Sequence, residues 1–214
     1  MLVKVCGITN VKDALMVVDQ GADAVGVIID VPVETPRKIS IGKAAEIRRA
    51  LRNISHTFIT VMMPEKVDEV LNVVKRIGPD GVQLHGTESP EFLEELRESI
   101  EGYIIKTVHA SSNLDMDYVK AVAEHADMML VDTLKDGKVG GTGSGHDRSI
   151  DLRIKELTGK PLIASGGINS DNVAQVIGKV APYAVDVSSG VESSQGIKSK
   201  KKVAEFMRII DGTR

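Results

Sequence analysis

Eight apolar, β-branched runs alternate with amphipathic stretches from one end of this 214-residue chain to the other. The apolar runs predict strands over 2–6, 24–29, 57–62, 81–84, 103–108, 128–131, 161–164 and 184–187. Helical periodicity fills the gaps over 11–20, 41–51, 66–77, 90–100, 114–124, 150–157, 172–178 and 200–210. Thr9 or Asn10 can cap the first helix, Pro90 follows Ser89 at a first turn, and Gly21 and Gly78 follow helix ends. Strands joined by helical crossovers pair in parallel, and eight such units close most naturally into a single (β/α)8 TIM barrel. An open, doubly wound sheet is the alternative. Even spacing and the absence of a compositional break favour one closed domain over 1–214.

Composition narrows the function. A single Cys excludes an intramolecular disulfide framework and a four-thiolate zinc site. A net charge of −3 and only six aromatic residues give no electrostatic footprint or stacking platform for nucleic acid. No apolar run approaches the roughly 18 residues of a membrane span. The opening MLVKVCGIT runs straight into a strand, without the basic and apolar regions of a signal peptide. The expectation is a cytoplasmic protein, monomer or homodimer, with neither nucleic acid nor membrane as partner.

Parallel strands covered on both faces read as nearly continuous Val, Ile and Leu, so polar residues within them mark the barrel interior. Alternation puts Lys4 with Cys6 on one face of the first strand, Gln83 with His85 on the fourth, and Asp186 with Ser188 on the eighth. Lys106 is the polar residue of the fifth strand, and Asp132 ends the sixth. The first and eighth strands are neighbours in a closed barrel, which predicts a buried Lys4–Asp186 ion pair. A purely structural network is the other reading of those two charges.

Barrel active sites lie at the carboxyl ends of the strands. Cys6 sits there beside Lys4, a cation that favours thiolate and so a base or nucleophile; a buried small hydrophobe is the plain alternative. Asp132 ends an apolar run, where burial raises a carboxyl pKa and keeps a proton for donation. Ser165-Gly166-Gly167 after the seventh strand and Ser188-Ser189-Gly190 after the eighth form two glycine corners at the usual phosphate position of a barrel. No such pair follows the third or fourth strand, which predicts one phosphate. Arg37 can fork onto a carboxylate, or be an ordinary surface arginine. The Gly-rich stretch 137–145 matches no nucleotide motif and reads as a lid or a connector. His85, Asp186 and Ser188 complete the expected substrate-binding set.

These residues fall into a known pattern. Val3-Lys4-Val5-Cys6-Gly7-Ile8-Thr9, Pro36-Arg37-Lys38-Ile39-Ser40, Gly81-Val82-Gln83-Leu84-His85-Gly86 and Val131-Asp132-Thr133 with the downstream Gly-Gly-Thr-Gly resemble the phosphoribosylanthranilate isomerase family. Ser165-Gly166-Gly167-Ile168-Asn169 and Val185-Asp186-Val187-Ser188-Ser189-Gly190-Val191-Glu192 extend the resemblance over nearly the whole chain, in the family's order. The resemblance implies an Amadori rearrangement in tryptophan synthesis without metal or organic cofactor. In it Asp132 is the general acid, Cys6 the base, Arg37 the carboxylate contact, and the Gly166–Gly167 and Ser189–Gly190 corners hold the phosphate. Three departures bear on the anthranilate pocket and the lid: His146-Asp147-Arg148 where many members have Phe-Asp-Trp, no Phe in the second strand, and Ser199 where Asp is usual. The rival readings are the aminoaldose isomerase of histidine synthesis, which typically carries two catalytic carboxylates and two phosphate sites, and a non-catalytic phosphometabolite-binding barrel.

Overall fold

A computed structural model describes residues 1–29, 31–111, 113–135, 138–139 and 145–213. In chain order the strands are β1 (Leu2–Val5), β2 (Ala24–Ile28), β3 (Thr57–Met62), β4 (Gly81–Leu84), β5 (Tyr103–Ala110), β6 (Met128–Lys135), β7 (Lys138–Val139), β8 (Leu162–Ala164), β9 (Ala184–Val187), β10 (Glu192–Ser194) and β11 (Ile197–Lys198). Strands β1–β6, β8 and β9 are parallel neighbours in the order β5-β4-β3-β2-β1-β9-β8-β6, and a β5–β6 pairing closes the ring. The fold is a (β/α)8 barrel. Two antiparallel additions lie outside it: β7 folds back on β6, and β10 pairs with β11.

The helices are α1 (Val11–Asp19), α2 (Ile41–Ala50), α3 (Val67–Ile77), α4 (Pro90–Ser99), α5 (Met116–His125), α6 (Ser149–Thr158), α7 (Val173–Val180) and α8 (Lys200–Asp211). Their ends follow local chemistry. Asn10, rather than Thr9, caps α1 by accepting from the Asp13 N–H at 2.8 Å. Ser40, Ser89 and Ser199 cap α2, α4 and α8 in the same way. Ser199 therefore serves the capping role that an aspartate would serve there.

The strands separate two apolar regions. A large outer core, with Val3, Val5, Val25, Val27, Leu84 and Val131 from the strands, packs against the helices. A small inner cluster of Ile59, Ile105, Leu130, Ile163 and Ala184 fills part of the barrel interior. The polar residues of the site share strand faces with that inner cluster. Asp132 has the parity of Leu130, and Asp186 has the parity of Ala184.

Lys106 breaks the expected pattern. It has the parity of Ile104 and Val108, both in the outer core, so it points toward the helices rather than into the barrel. There it is fully buried, 2.7 Å from Glu88 Oε2 and 2.7 Å from the Gly86 carbonyl. The interior positions of β5 belong instead to Ile105, Thr107 and His109. A lysine directly before a threonine made the parity ambiguous, and Glu88, which settles it, lies in another loop.

Candidate active site

The carboxyl ends of the strands surround a cavity of about 540 Å³. Its wall includes Cys6, Arg37, His85, Asp132, Gly166, Gly167, Asp186, Ser188 and Ser189. Nine of the ten residues expected at a site therefore meet in one space. The tenth, Gly190, lies behind the wall, where a Cβ would strike the Ile168 carbonyl and the Asn169 side chain. It lets the two glycine corners touch. Ile28, Val31, Val33, Val61 and Met63 form an apolar flank, suited to a flat ring, in place of the absent Phe residues.

The floor is electrostatic. Lys4 and Asp186 are paired in register on β1 and β9, with Nζ 3.0 Å from Oδ1 and both side chains buried. Burial opposes the Lys4 charge, yet Asp186 and Cys6 outweigh it and raise the ammonium pKa above its ordinary value. Gly26 on β2 makes room for this group, because a Cβ there would lie 2.9 Å from Cys6 Sγ and 3.1 Å from Lys4 Nζ. The expected thiolate-favouring effect of Lys4 is outweighed. Burial raises the Cys6 pKa, Asp186 adds to the rise, and the opposing pull of Lys4 and Lys198 does not reverse it. Lys4 shares its charge with Asp186, so Cys6 rests as a thiol.

Asp132 behaves as its apolar run predicts. Burial lifts its pKa to about 6, with Asp186 adding to the rise, against the Thr133 N–H that donates to Oδ1 at 2.8 Å and the opposing charges of His146 and Lys4. Its Oδ2 is 3.5 Å from His85 Nε2. Burial, helped by His109, Lys106 and Lys4, holds the His85 pKa well below its usual value, so this contact joins a carboxyl to a neutral imidazole. The other ring nitrogen, Nδ1, lies 3.2 Å from both Gln83 Nε2 and Thr107 Oγ1.

Arg37 reaches the cavity with its fork already engaged. Nε and Nη2 donate to the two carboxylate oxygens of Glu192 at 2.8 and 2.7 Å, leaving Nη1 outside that pair. Lys198 Nζ donates to the same Glu192 carboxylate at 2.9 Å. Glu192 carries no role in the sequence reading, although it ends one of the quoted motifs.

The first glycine corner has left-handed backbone at Gly166 (φ 77°) and Gly167 (φ 67°). Arg148 donates to the Ser165 and Gly166 carbonyls at 2.6 and 2.7 Å, and Asn172 Nδ2 donates to the Gly167 carbonyl at 2.8 Å. The three carbonyl oxygens are thus held by donors, which suits a neighbouring anion. His146 bridges Thr133 Oγ1 (2.9 Å) and Asp151 Oδ2 (2.6 Å). The His146-Asp147-Arg148 departure is therefore a polar anchor for the corner and the Asp132 loop. The expected lid over 137–145 lies outside the described residues, apart from Lys138, Val139 and Gly145.

Residues 3–208 match the family model for N-(5'phosphoribosyl)anthranilate (PRA) isomerase. The chain belongs to that family. It is 39% identical to the N-(5'-phosphoribosyl)anthranilate isomerase of Methanocaldococcus jannaschii, over 97% of this chain and 96% of the relative. A solved phosphoribosyl anthranilate isomerase in complex with reduced 1-(o-carboxyphenylamino)-1-deoxyribulose 5-phosphate superposes with a TM-score of 0.83, at 35% identity, covering 99% of this chain and 100% of that one. Monomers generated from the dimeric Thermotoga maritima isomerase superpose at 0.80, with 31% identity and coverage of 99% and 100%. The protein is thus an isomerase of tryptophan biosynthesis. Among its described residues no helix is long and apolar enough to cross a membrane.

Proposed function

We propose that this isomerase converts N-(5-phosphoribosyl)anthranilate to 1-(2-carboxyphenylamino)-1-deoxyribulose 5-phosphate with Asp132 as general acid and Cys6 as base. One observation carries the assignment: these two residues face a single cavity that also holds both glycine corners. The Asp132 proton passes to the ribose ring oxygen as the C1′–O bond breaks, and the nitrogen lone pair forms the C=N bond of a cationic Schiff base. Cys6 thiolate then takes the C2′ proton, and the C–H electron pair neutralises the iminium to give an enolamine. Tautomerisation yields the ketone. Before the C2′ proton is taken, the Cys6 thiol gives its own proton to the Asp132 carboxylate left by ring opening, which restores the acid. The high pKa of Cys6 makes the resulting thiolate a strong base, and the neighbouring iminium charge favours its ionisation.

In this reading the Gly166–Gly167 and Ser188–Ser189 corners receive the phosphate, with Gly190 allowing their close approach. Arg37 Nη1 meets the anthranilate carboxylate, and the ring lies on the Val61–Met63 flank. His85 holds Asp132, and Asp186 holds Lys4 beneath Cys6. A soluble phosphorylated substrate fits action in the cytoplasm, as a monomer or homodimer. Generating the substrate in situ from anthranilate and phosphoribosyl pyrophosphate, and following its fluorescence, tests the proposal. Loss above the spontaneous rate, abolished in Asp132→Asn, supports it. Absence of acceleration by folded protein overturns it and redirects the assay to the histidine-pathway aminoaldose.

A further inference from the structure

His85, His109 and Asp132 stand at the carboxyl ends of three successive barrel strands. One ligand atom from each lies within 4.8 Å of those from the other two. His109 and Asp132 are direct partners in the β5–β6 register, and the two imidazole rings meet edge to face at 5.1 Å. Two imidazole nitrogens and one carboxylate oxygen are the donor set of a three-ligand zinc site with one open position. With zinc–ligand bonds of about 2.0–2.1 Å, a tetrahedron has ligand–ligand edges of about 3.3 Å. The His85 Nε2 to Asp132 Oδ2 separation is already 3.5 Å.

Each ligand is also held from behind, as metal ligands generally are. His109 Nε2 donates to the His85 carbonyl at 2.9 Å, which leaves the lone pair on Nδ1. That Nδ1 is buried and has no hydrogen-bond partner among the described residues. His85 Nδ1 faces the Thr107 hydroxyl at 3.2 Å, which frees Nε2 to coordinate. The buried Gln83 Oε1 likewise has no partner among the described residues, and turning the amide would aim it at the same Nδ1–H. Asp132 Oδ1 is held by the Thr133 N–H, leaving Oδ2 to the centre.

We propose that His85, His109 and Asp132 form a binding site for a divalent transition-metal ion, zinc foremost, and that occupation of this site blocks turnover. The blocking follows from coordination of the Asp132 oxygen that would otherwise carry the transferred proton. Binding stands on geometry alone, whereas the block rests on the proposed function.

Calorimetric titration of the full chain with zinc chloride reads binding without any turnover. One ion per chain is expected, with affinity falling on the order of 100-fold in His109→Gln, as removal of a ligand requires at least the 10–100-fold of a supporting residue. His85→Gln gives the same loss as a second variant, with melting curves to establish that both are folded. Cobalt(II) should give the intense visible bands of a four-coordinate site without a thiolate charge-transfer band. Unchanged affinity in both folded variants, or a charge-transfer band abolished by Cys6→Ser, overturns the site. Zinc should inhibit the wild type reversibly by chelator, and His109→Gln should turn over normally and resist zinc. Zinc bound stoichiometrically with turnover unaffected overturns the block alone. Zinc bound by a chain that never turns over substrate upholds the site and overturns the proposed reaction.

Discussion

Arg37 and Glu192, 155 positions apart, are joined by two hydrogen bonds of 2.8 and 2.7 Å. The pair ties the loop after β2 to the segment after β9 across the mouth of the cavity. A bidentate guanidinium is fixed in direction, so Glu192 determines where the remaining Nη1 of Arg37 points. Arg37→Ala should raise KM more than it lowers kcat. Glu192→Gln should raise KM by a smaller factor, because it frees the arginine without removing it. Steady-state kinetics of both variants test the order, and an unchanged KM in Arg37→Ala would refute the carboxylate contact.

The same pair gives stability a pH dependence. Burial pushes the Glu192 pKa up, but Arg37 and Lys198 outweigh it and leave the pKa below the ordinary glutamate value. A depressed folded-state pKa stabilises the fold above the unfolded value of about 4.3, and the contribution disappears as pH falls through the folded value. Glu192→Gln should therefore melt below the wild type at pH 7 and converge with it under acid conditions. Melting temperatures taken from pH 7 to 3 decide this. A gap that stays constant or widens toward low pH would contradict the assignment.

Asp132→Asn and Cys6→Ala should each lower kcat by about 10²–10⁴-fold while leaving KM nearly unchanged, because each removes one positioned proton transfer. The double variant should lose less than the product of the two single losses if both groups act in one sequence of steps. Near-normal turnover in either single variant would show that its role belongs to another residue.

Lys4→Met should be among the most destabilising substitutions in the chain. It leaves Asp186 buried with its cation removed, a change that typically costs about 3–5 kcal/mol. Replacing both residues, as Lys4→Met with Asp186→Leu, should recover much of that loss, since the penalty comes from the unpaired charge rather than the lost volume. Urea denaturation of the two proteins reads the difference. Equal stability of the single and double variants would mean that water reaches Asp186.

Alternation along β1 and β9, with barrel closure, was enough to predict that pair, because both charges sit in strands that are otherwise apolar. Along β5 the same rule was not enough. Lys106 and Thr107 are adjacent polar residues, so either could have faced inward, and Glu88 is remote from both in the strand pattern. His109 lies beyond the expected strand end at 108, since β5 continues to Ala110 beside a lengthened β6. The direction of the Cys6 shift was hidden for another reason. Spacing places Lys4 beside Cys6, but the balance between burial, Asp186 and that cation depends on three-dimensional distances. Glu192 lacked an expected role because its partners, Arg37 and Lys198, meet it only when the loops fold over the barrel.

Gly26→Ala tests how closely the floor beneath the base is packed. An added Cβ would approach Cys6 Sγ to 2.9 Å and both Lys4 Cε and Nζ to 3.1 Å. Ordinary carbon–sulfur contact is wider than this, so the thiol must move or β2 must shift outward. Lys4 has little freedom to yield, being buried and tied to Asp186 at 3.0 Å. Cys6, a free thiol whose hydrogen bond to Lys4 is weaker than the Lys4–Asp186 ion pair, is the group that gives way. A small misplacement of a proton-transferring group lowers kcat strongly, up to about 10²-fold for 1 Å. Substrate affinity should change little, because Arg37 and the two glycine corners lie on other parts of the wall. Gly26→Ala should therefore resemble a mild Cys6 variant, with reduced kcat, nearly unchanged KM and a modest loss of stability from overpacking of about 1–3 kcal/mol. Unaltered kcat with the expected loss of stability would place Cys6 outside the proton-transfer path and leave the base unassigned.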